Sequence, residues 1–282
     1  MAFKGRKAVD PHVVMAEVVN TKRITPNMMR VTLGGDELAQ LTPAGYDQWF
    51  RLFLPRAGQD MLRLPTRTSG LWYAEYLTTP KARRPWVRNY TVRAARPDLN
   101  EIDVDFVLHA GEHDTSEGAG HVSGPGAGFA QAADHGMRVG ILDQGVTYDP
   151  RHPHDWTLLV ADESGLPAVA GICESLPDDA RGIAVVEVPT AGDEQEFRAP
   201  SGVEVRWVVR SDGDAHAVPG RAALAELQEL DLTGFGTAVY AFAVGEASLA
   251  TGARRHLVNE RGVPKSHVDF VGYWRHGRSS PG

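Results

Sequence analysis

The sequence predicts two domains of different construction, an N-terminal antiparallel β-barrel followed by a C-terminal α/β domain built on a parallel sheet. Three observations carry this. Up to about Leu142, short apolar runs alternate with turn residues at the spacing of an antiparallel barrel or sandwich. After a Pro/His-rich joint, Tyr148-Asp149-Pro150-Arg151-His152-Pro153-His154, apolar strands alternate with segments of helical periodicity. At 282 residues the chain is long enough for two domains that each bury a core, and the joint divides it into 1–150 and 151–282.

In the first half the expected strands are 12–19, 28–33, 49–54, 88–93, 102–108 and 137–142. A helix interrupts them at 126–133, where the run from Gly124 to Ala133 opens on glycines and continues with helix formers. Its start offers backbone N–H groups suited to a phosphate. In the second half the strand 156–161 precedes Leu166, Val169, Ala170, Cys173 and Leu176 at helical spacing. Strands at 183–188, 203–209, 238–244 and 268–272, with helices at 221–230 and 248–261, complete a parallel sheet.

The bulk composition narrows the function. A single cysteine, Cys173, rules out an internal disulfide, a four-cysteine cluster or a thiolate zinc site, so any redox chemistry needs a bound cofactor. A net charge of −7 argues against a general nucleic-acid binder. No apolar run is long enough to cross a bilayer and residues 1–11 lack an apolar signal core, so the chain is expected to be cytoplasmic, without membrane insertion. No sustained heptad appears, and monomer is the default. One basic stretch stands out, Lys81, Arg83, Arg84, Arg88, Arg93 and Arg96, as an attractor for an anionic ligand or simply a solvated loop. His109, His113, His121 and His135 are scattered and His152 and His154 lie in the joint, so no protein metal site is expected. Ser164 lies in Asp-Glu-Ser-Gly rather than a nucleophile elbow, which disfavours a hydrolase.

The most informative run is Arg88-Asn89-Tyr90-Thr91-Val92-Arg93. Strand alternation sends Arg88 and Tyr90 to one face and Thr91 to the other. A guanidinium grips a diphosphate bidentately and a Tyr ring covers a planar heterocycle. By itself the hexapeptide also suits an ordinary exposed strand. In the second half, Asp162-Glu163-Ser164-Gly165 and Gly245-Glu246-Ala247-Ser248 occupy the strand-to-helix tips where parallel sheets bind ligands, and they also match plain helix-capping turns.

With a barrel first, an Arg-x-Tyr-Thr strand within it and a nucleotide-type α/β half second, the chain resembles the ferredoxin–NADP reductase architecture. Within it, the chain is most similar to the siderophore-interacting proteins, FAD-dependent ferric-siderophore reductases. The likeness runs from residues 23–33 through Asp105-Phe106-Val107-Leu108-His109 to Gly272-Tyr273-Trp274-Arg275-His276-Gly277. The resemblance implies Arg88 at the FAD diphosphate, and Tyr90 and Thr91 at the flavin ring as the catalytic positions. Val107, Leu108 and His109 would line the flavin, with Gly124, Gly126 and Ala127 at its phosphates. Asp162, Glu163, Ser164, Gly245 and Glu246 would face NADH or NADPH, and Trp274 and Arg275 would close over the flavin or nicotinamide. Arg51 stands where the family usually has a substrate-facing Lys. The implied reaction passes electrons from NAD(P)H, or from a ferredoxin-like donor, through FAD to a ferric siderophore and releases Fe(II).

Two departures keep other readings open. The family's phosphate turn commonly carries a Ser where this chain has Ala127, and a Gly-Pro-Gly type of turn is here Asp143-Gln144-Gly145. These motivate one alternative, a siderophore-binding protein with a degenerate flavin pocket; a second alternative keeps the flavin in an oxidoreductase acting on an organic biosynthetic intermediate. For the donor, Glu187, Asp193, Glu194 and Glu196 favour NADH while Arg210 favours a 2′-phosphate.

Overall fold

A computed structural model describes residues 5–56, 58–59, 62–68, 71–108, 124–236 and 238–278. The chain divides into two compact units, Arg6–Val146 and Thr147–Ser279.

In the first unit the strands are β1 (Val13–Thr25), β2 (Met28–Gly34), β3 (Trp49–Leu54), β4 (Trp86–Thr91), β5 (Ala94–Arg96), β6 (Glu101–Val107) and β7 (Arg138–Gly145). They form one antiparallel sheet in the order β4-β3-β7-β1-β2-β6-β5. The sheet curls around a core of Val18, Val31, Leu33, Phe50, Leu52, Val104, Phe106 and Ile141. Its two end strands are not hydrogen-bonded to one another, so the expected barrel is barrel-like and open. Helix α1 (Leu71–Thr78) covers the opposite face of β3 and β7, packing Trp72 and Tyr76 on Phe53 and Leu142. Helix α2 (Pro125–Ala132) follows β6 in the chain and packs Ala127, Ala130 and Phe129 on the main core.

The register explains why buried carboxylates are tolerated here. Arg30 faces Asp105 and Thr32 faces Asp103 across β2 and β6. Arg30 grips Asp105 bidentately at 2.7 and 2.8 Å, and Asp103 accepts from Thr32 and from Arg96, so each buried charge is paired as well as hydrogen-bonded. Burial pushes the Asp103 carboxyl up, but the bonds from Arg96 and Thr32 outweigh this and hold it below its ordinary range.

The second unit contains β8 (Trp156–Ala161), α3 (Leu166–Ser175), β9 (Arg181–Val188), β10 (Gly202–Val209), α4 (Arg221–Glu229), β11 (Val239–Glu246), α5 (Ala247–Asn259) and β12 (Val268–Trp274). All five strands are parallel, in the order β10-β9-β8-β11-β12. Every residue of β8 and β11 is buried, as expected of central strands covered on both faces. The chain winds outward in one direction from β8 and then returns to β11, which puts the topological switch point between these two strands. Among the described residues no helix is long and apolar enough to cross a membrane.

Candidate functional site

The face of β4 that carries Trp86, Arg88 and Tyr90 lies opposite Leu54, Leu52 and Phe50 of β3, the side turned to the barrel core. Thr91 and Asn89 point the other way, as alternation requires. The Tyr90 ring lies 4.3 Å from that of Phe106, centroid to centroid. Its hydroxyl reaches the start of α2, where a Cβ on Gly126 would come within 1.8 Å of it, so only glycine fits there beside this tyrosine. Burial pushes the Tyr90 phenol well above its ordinary value, against the pull of Arg88. Arg88 is half-buried, with Nη1 donating to the Val87 carbonyl at 2.7 Å, and burial lowers its pKa.

Helix α2 begins with Gly124 as its N-cap, no side-chain cap and Pro125 in its first turn. The first intrahelical bond comes from Gly128 N to Gly124 O, so the N–H groups of Gly126 and Ala127 remain for an acceptor from outside the helix. Ala127 itself is buried in the core. Leu108 is buried and bonded through its N–H to Asn27 O, Val107 ends β6, and His109 lies outside the described residues.

Arg51 occupies the opposite face of the β3–β4 pair from Arg88 and Tyr90. It lies across from Asn89, with its guanidinium 4.7 Å from the Trp72 ring and 5.5 Å from that of Trp49. Its Nε is buried without an acceptor among the described residues, and burial lowers its pKa. The basic stretch does not form one patch. Arg96 is neutralised by Glu101 and Asp103, whereas Arg84, elsewhere in the stretch, donates to the neutral carbonyls of Leu77 and Thr79. Asp143-Gln144-Gly145 is not a turn either: it ends β7 at a register shift against β3. There the Asp143 carboxylate accepts from Gly145 N and Gln48 Nε2, and Gly145 has φ +87°. Burial raises the Asp143 pKa in spite of those bonds.

The second unit brings its two tips together at the switch point. Asp162, wholly buried, accepts from Ser164 N and Oγ through one oxygen and from Glu246 N at 2.6 Å through the other. Gly245 adopts φ +123°, and a Cβ there would sit 2.5 Å from the Asp162 carboxylate. Backbone N–H groups of Gly165 and Leu166, entering α3, both bond the Asp162 carbonyl. Glu246 caps α5 through Ser248 and accepts from His276 N at 3.1 Å. Burial would raise its pKa, but the bonds from Ser248 and His276 outweigh this and hold it low. Trp274 Nε1 donates to Ser164 Oγ at 3.1 Å, which ties the last strand over the α3 turn. Arg275 is exposed and its backbone bridges Arg278.

Arg210 is buried between two carboxylates. It donates to Glu187 at 2.6 Å and to Glu163, while Glu187 also accepts from Gly220 N and Ala223 N at the start of α4. The two residues expected to vote for opposite nucleotides are therefore paired with each other. Asp193, buried as well, caps its own turn through Thr190. Burial and the neighbouring Asp162 carboxylate push Glu163 up, against the pull of Arg210, which Glu163 shares with Glu187.

Comparison with known proteins decides the family. A family model described as a siderophore-interacting FAD-binding domain matches residues 17–148, and one described as siderophore-interacting protein matches residues 154–277. The chain belongs to the siderophore-interacting protein family. A crystal structure of a siderophore utilization protein from T. fusca is 33% identical, with a TM-score of 0.77 over 97% of this chain and 96% of that one. An uncharacterized protein of Mycobacterium tuberculosis is 38% identical over 93% of this chain and 90% of its own length. The ferric vibriobactin reductase of Vibrio cholerae is 28% identical, covering 94% of this chain and 90% of the relative. The ferredoxin reductase in carbazole 1,9a-dioxygenase, 15% identical with a TM-score of 0.61 over 95% of this chain and 71% of that one, shares the fold.

The residues of this siderophore-interacting protein fit a diphosphate-bearing flavin: a cation, an aromatic ring and uncapped helix N–H groups lie on one face of the first unit. Sequence reasoning missed Trp86, α1 and the Glu163–Arg210–Glu187 triad. Trp72 and Tyr76 at i, i+4 signal α1, and Trp86 sits two residues before Arg88 on the same face; the triad joins residues 23 and 47 positions apart and leaves no local signal.

Proposed function

We propose that the protein is an FAD-dependent reductase that passes electrons from NAD(P)H to a ferric siderophore and releases the iron as Fe(II). One observation carries the reading: Arg88, Tyr90 and the uncapped start of α2 converge on one face of the first unit. Arg88 would hold the diphosphate against the Gly126 and Ala127 N–H groups, which also supply the contact that a hydroxyl at Ala127 would have made. Tyr90, fixed by Phe106 and by Gly126, would set the position of the flavin ring. Bound FAD supplies the conversion of a two-electron donor into one-electron steps. Fe(III) is held far more tightly than Fe(II) by hard oxygen ligands, so reducing the substrate loosens it without any protein ligand to the metal.

A second reading of the donor has its own support. Dinucleotide diphosphates dock on free N–H groups at the turn after the first strand of the sheet. Here those of Ser164, Gly165 and Leu166 are all taken by Asp162. That favours a ferredoxin-like protein as the source of electrons.

An anaerobic titration tests both. The purified protein is reconstituted with FAD, mixed with a ferric siderophore and given NADH, NADPH or a reduced ferredoxin. Bleaching of the flavin spectrum by one donor, followed by reoxidation and Fe(II) capture, is the expected outcome. No flavin uptake at saturating FAD sinks the reductase reading in favour of a siderophore-binding protein. A tight flavin that never reoxidises with iron points to an organic substrate.

A further inference from the structure

Arg56 extends the line of Tyr90, Arg88 and Trp86 by one step along the same strands, beyond Trp86. Leu52 and Leu54 of β3 face Arg88 and Trp86 of β4, and Arg56 follows Leu54 by two residues, on the side of Trp86 away from Tyr90. Its guanidinium carbon lies 3.6 Å from the centroid of the Trp86 ring, while that of Arg88 lies 5.5 Å from the same ring. One indole thus holds two guanidinium groups. Arg56 is fixed by uncharged partners, its Nε donating to the Arg84 carbonyl at 2.6 Å and its backbone N–H to the Gln59 side-chain Oε1 at 2.9 Å. It has no carboxylate partner among the described residues. Arg84 lies 5.1 Å from the Tyr76 ring and is likewise bonded to carbonyls. Positive charge concentrated this way, and held by neutral partners, is stabilised by an anion from outside the chain.

We infer that Arg56, seated on Trp86, is the second cation of a two-arginine seat for the diphosphate of FAD. The inference rests on the flavin reading above and identifies what recognises the adenylate half of the cofactor. The two guanidinium groups share the Trp86 ring, which brings them near one another although their backbone positions are two same-face steps apart. A ligand whose ring lies at Tyr90 and whose first phosphate meets Arg88 brings its second phosphate toward Arg56. FMN ends at the first phosphate and does not reach it.

The test is equilibrium binding to the apoprotein, followed by flavin fluorescence, for wild type, Arg56→Gln and Arg56→Lys with FAD, FMN and riboflavin at several salt concentrations. Loss of a charged bidentate contact is expected to weaken FAD by about 10- to 100-fold in Arg56→Gln. FMN and riboflavin affinities should stay unchanged, and FAD binding should become less sensitive to salt. Arg56→Lys should fall between the two, since it keeps the charge but not the fork. Unaltered far-UV circular dichroism and melting of Arg56→Lys separate a lost contact from a lost fold. If wild type binds FAD and Arg56→Gln binds it equally well, this inference is overturned and the flavin reading stands. Equal weakening of FMN overturns it too. A wild-type protein that takes up no flavin overturns both.

Discussion

The two units treat charge at their functional edges in opposite ways. In the first, Arg56 and Arg84 are held by carbonyls and aromatic rings, and the helix start beside Tyr90 keeps N–H groups without an acceptor among the described residues. In the second, the corresponding polar groups are spent on one another. Asp162 saturates the α3 turn, Glu246 caps α5, and Arg210 lies between Glu163 and Glu187. A cation held by neutral partners still attracts an anion, whereas one flanked by two buried carboxylates does not. On the proposed reading the first edge receives a charged ligand, whereas the polar groups of the second fix two turns at the switch point.

Removing Arg210 strains that contrast most. Arg210→Leu leaves Glu163 and Glu187 buried without their counter-charge, and a broken buried pair costs about 3–5 kcal/mol. Urea unfolding should show the loss; a midpoint close to wild type would mean that the triad is not the tie it resembles. At the first edge, Gly126→Ala drives a Cβ into the Tyr90 hydroxyl and should cost about 1–3 kcal/mol while lowering FAD affinity. Tyr90→Phe removes that oxygen, so the double variant should be more stable than Gly126→Ala alone. Additive losses would place the clash elsewhere.

Much of this organisation was legible from the sequence. Strands 49–54 and 156–161 have the expected bounds, since each is an apolar run between polar or turn residues. The first strand is longer than its apolar part because Asn20 to Arg23 pair with β2 while exposing their side chains, which erases the alternation. Asp143-Gln144-Gly145 reads as a turn by composition, yet the Asp143 carboxylate and the positive φ of Gly145 build a bulge inside β7. The shared face of Arg88 and Tyr90 was visible because both lie on one short strand. The charge pairs were not: Arg30–Asp105 and Arg210–Glu163 join distant segments, and only register and topology reveal that two candidate nucleotide readers neutralise each other.

The pH dependence of stability sharpens the comparison by a smaller amount. Glu163 is pushed up to about 7 in the folded chain, above its ordinary 4.5. Between these values the folded state holds a proton that the unfolded state has released. Stability from this group is therefore fully present below about pH 4.5 and is lost as pH rises toward 7, by about 1.4 kcal/mol per pH unit. Glu163→Gln holds its hydrogen at every pH and lacks that slope. Unfolding free energies of the two proteins between pH 4.5 and 7 should diverge as pH rises, wild type falling relative to the variant, the difference belonging to the interacting Asp162–Glu163 pair. Parallel profiles would mean that Arg210 keeps Glu163 ionised throughout, and that this guanidinium serves two carboxylates as fully as one.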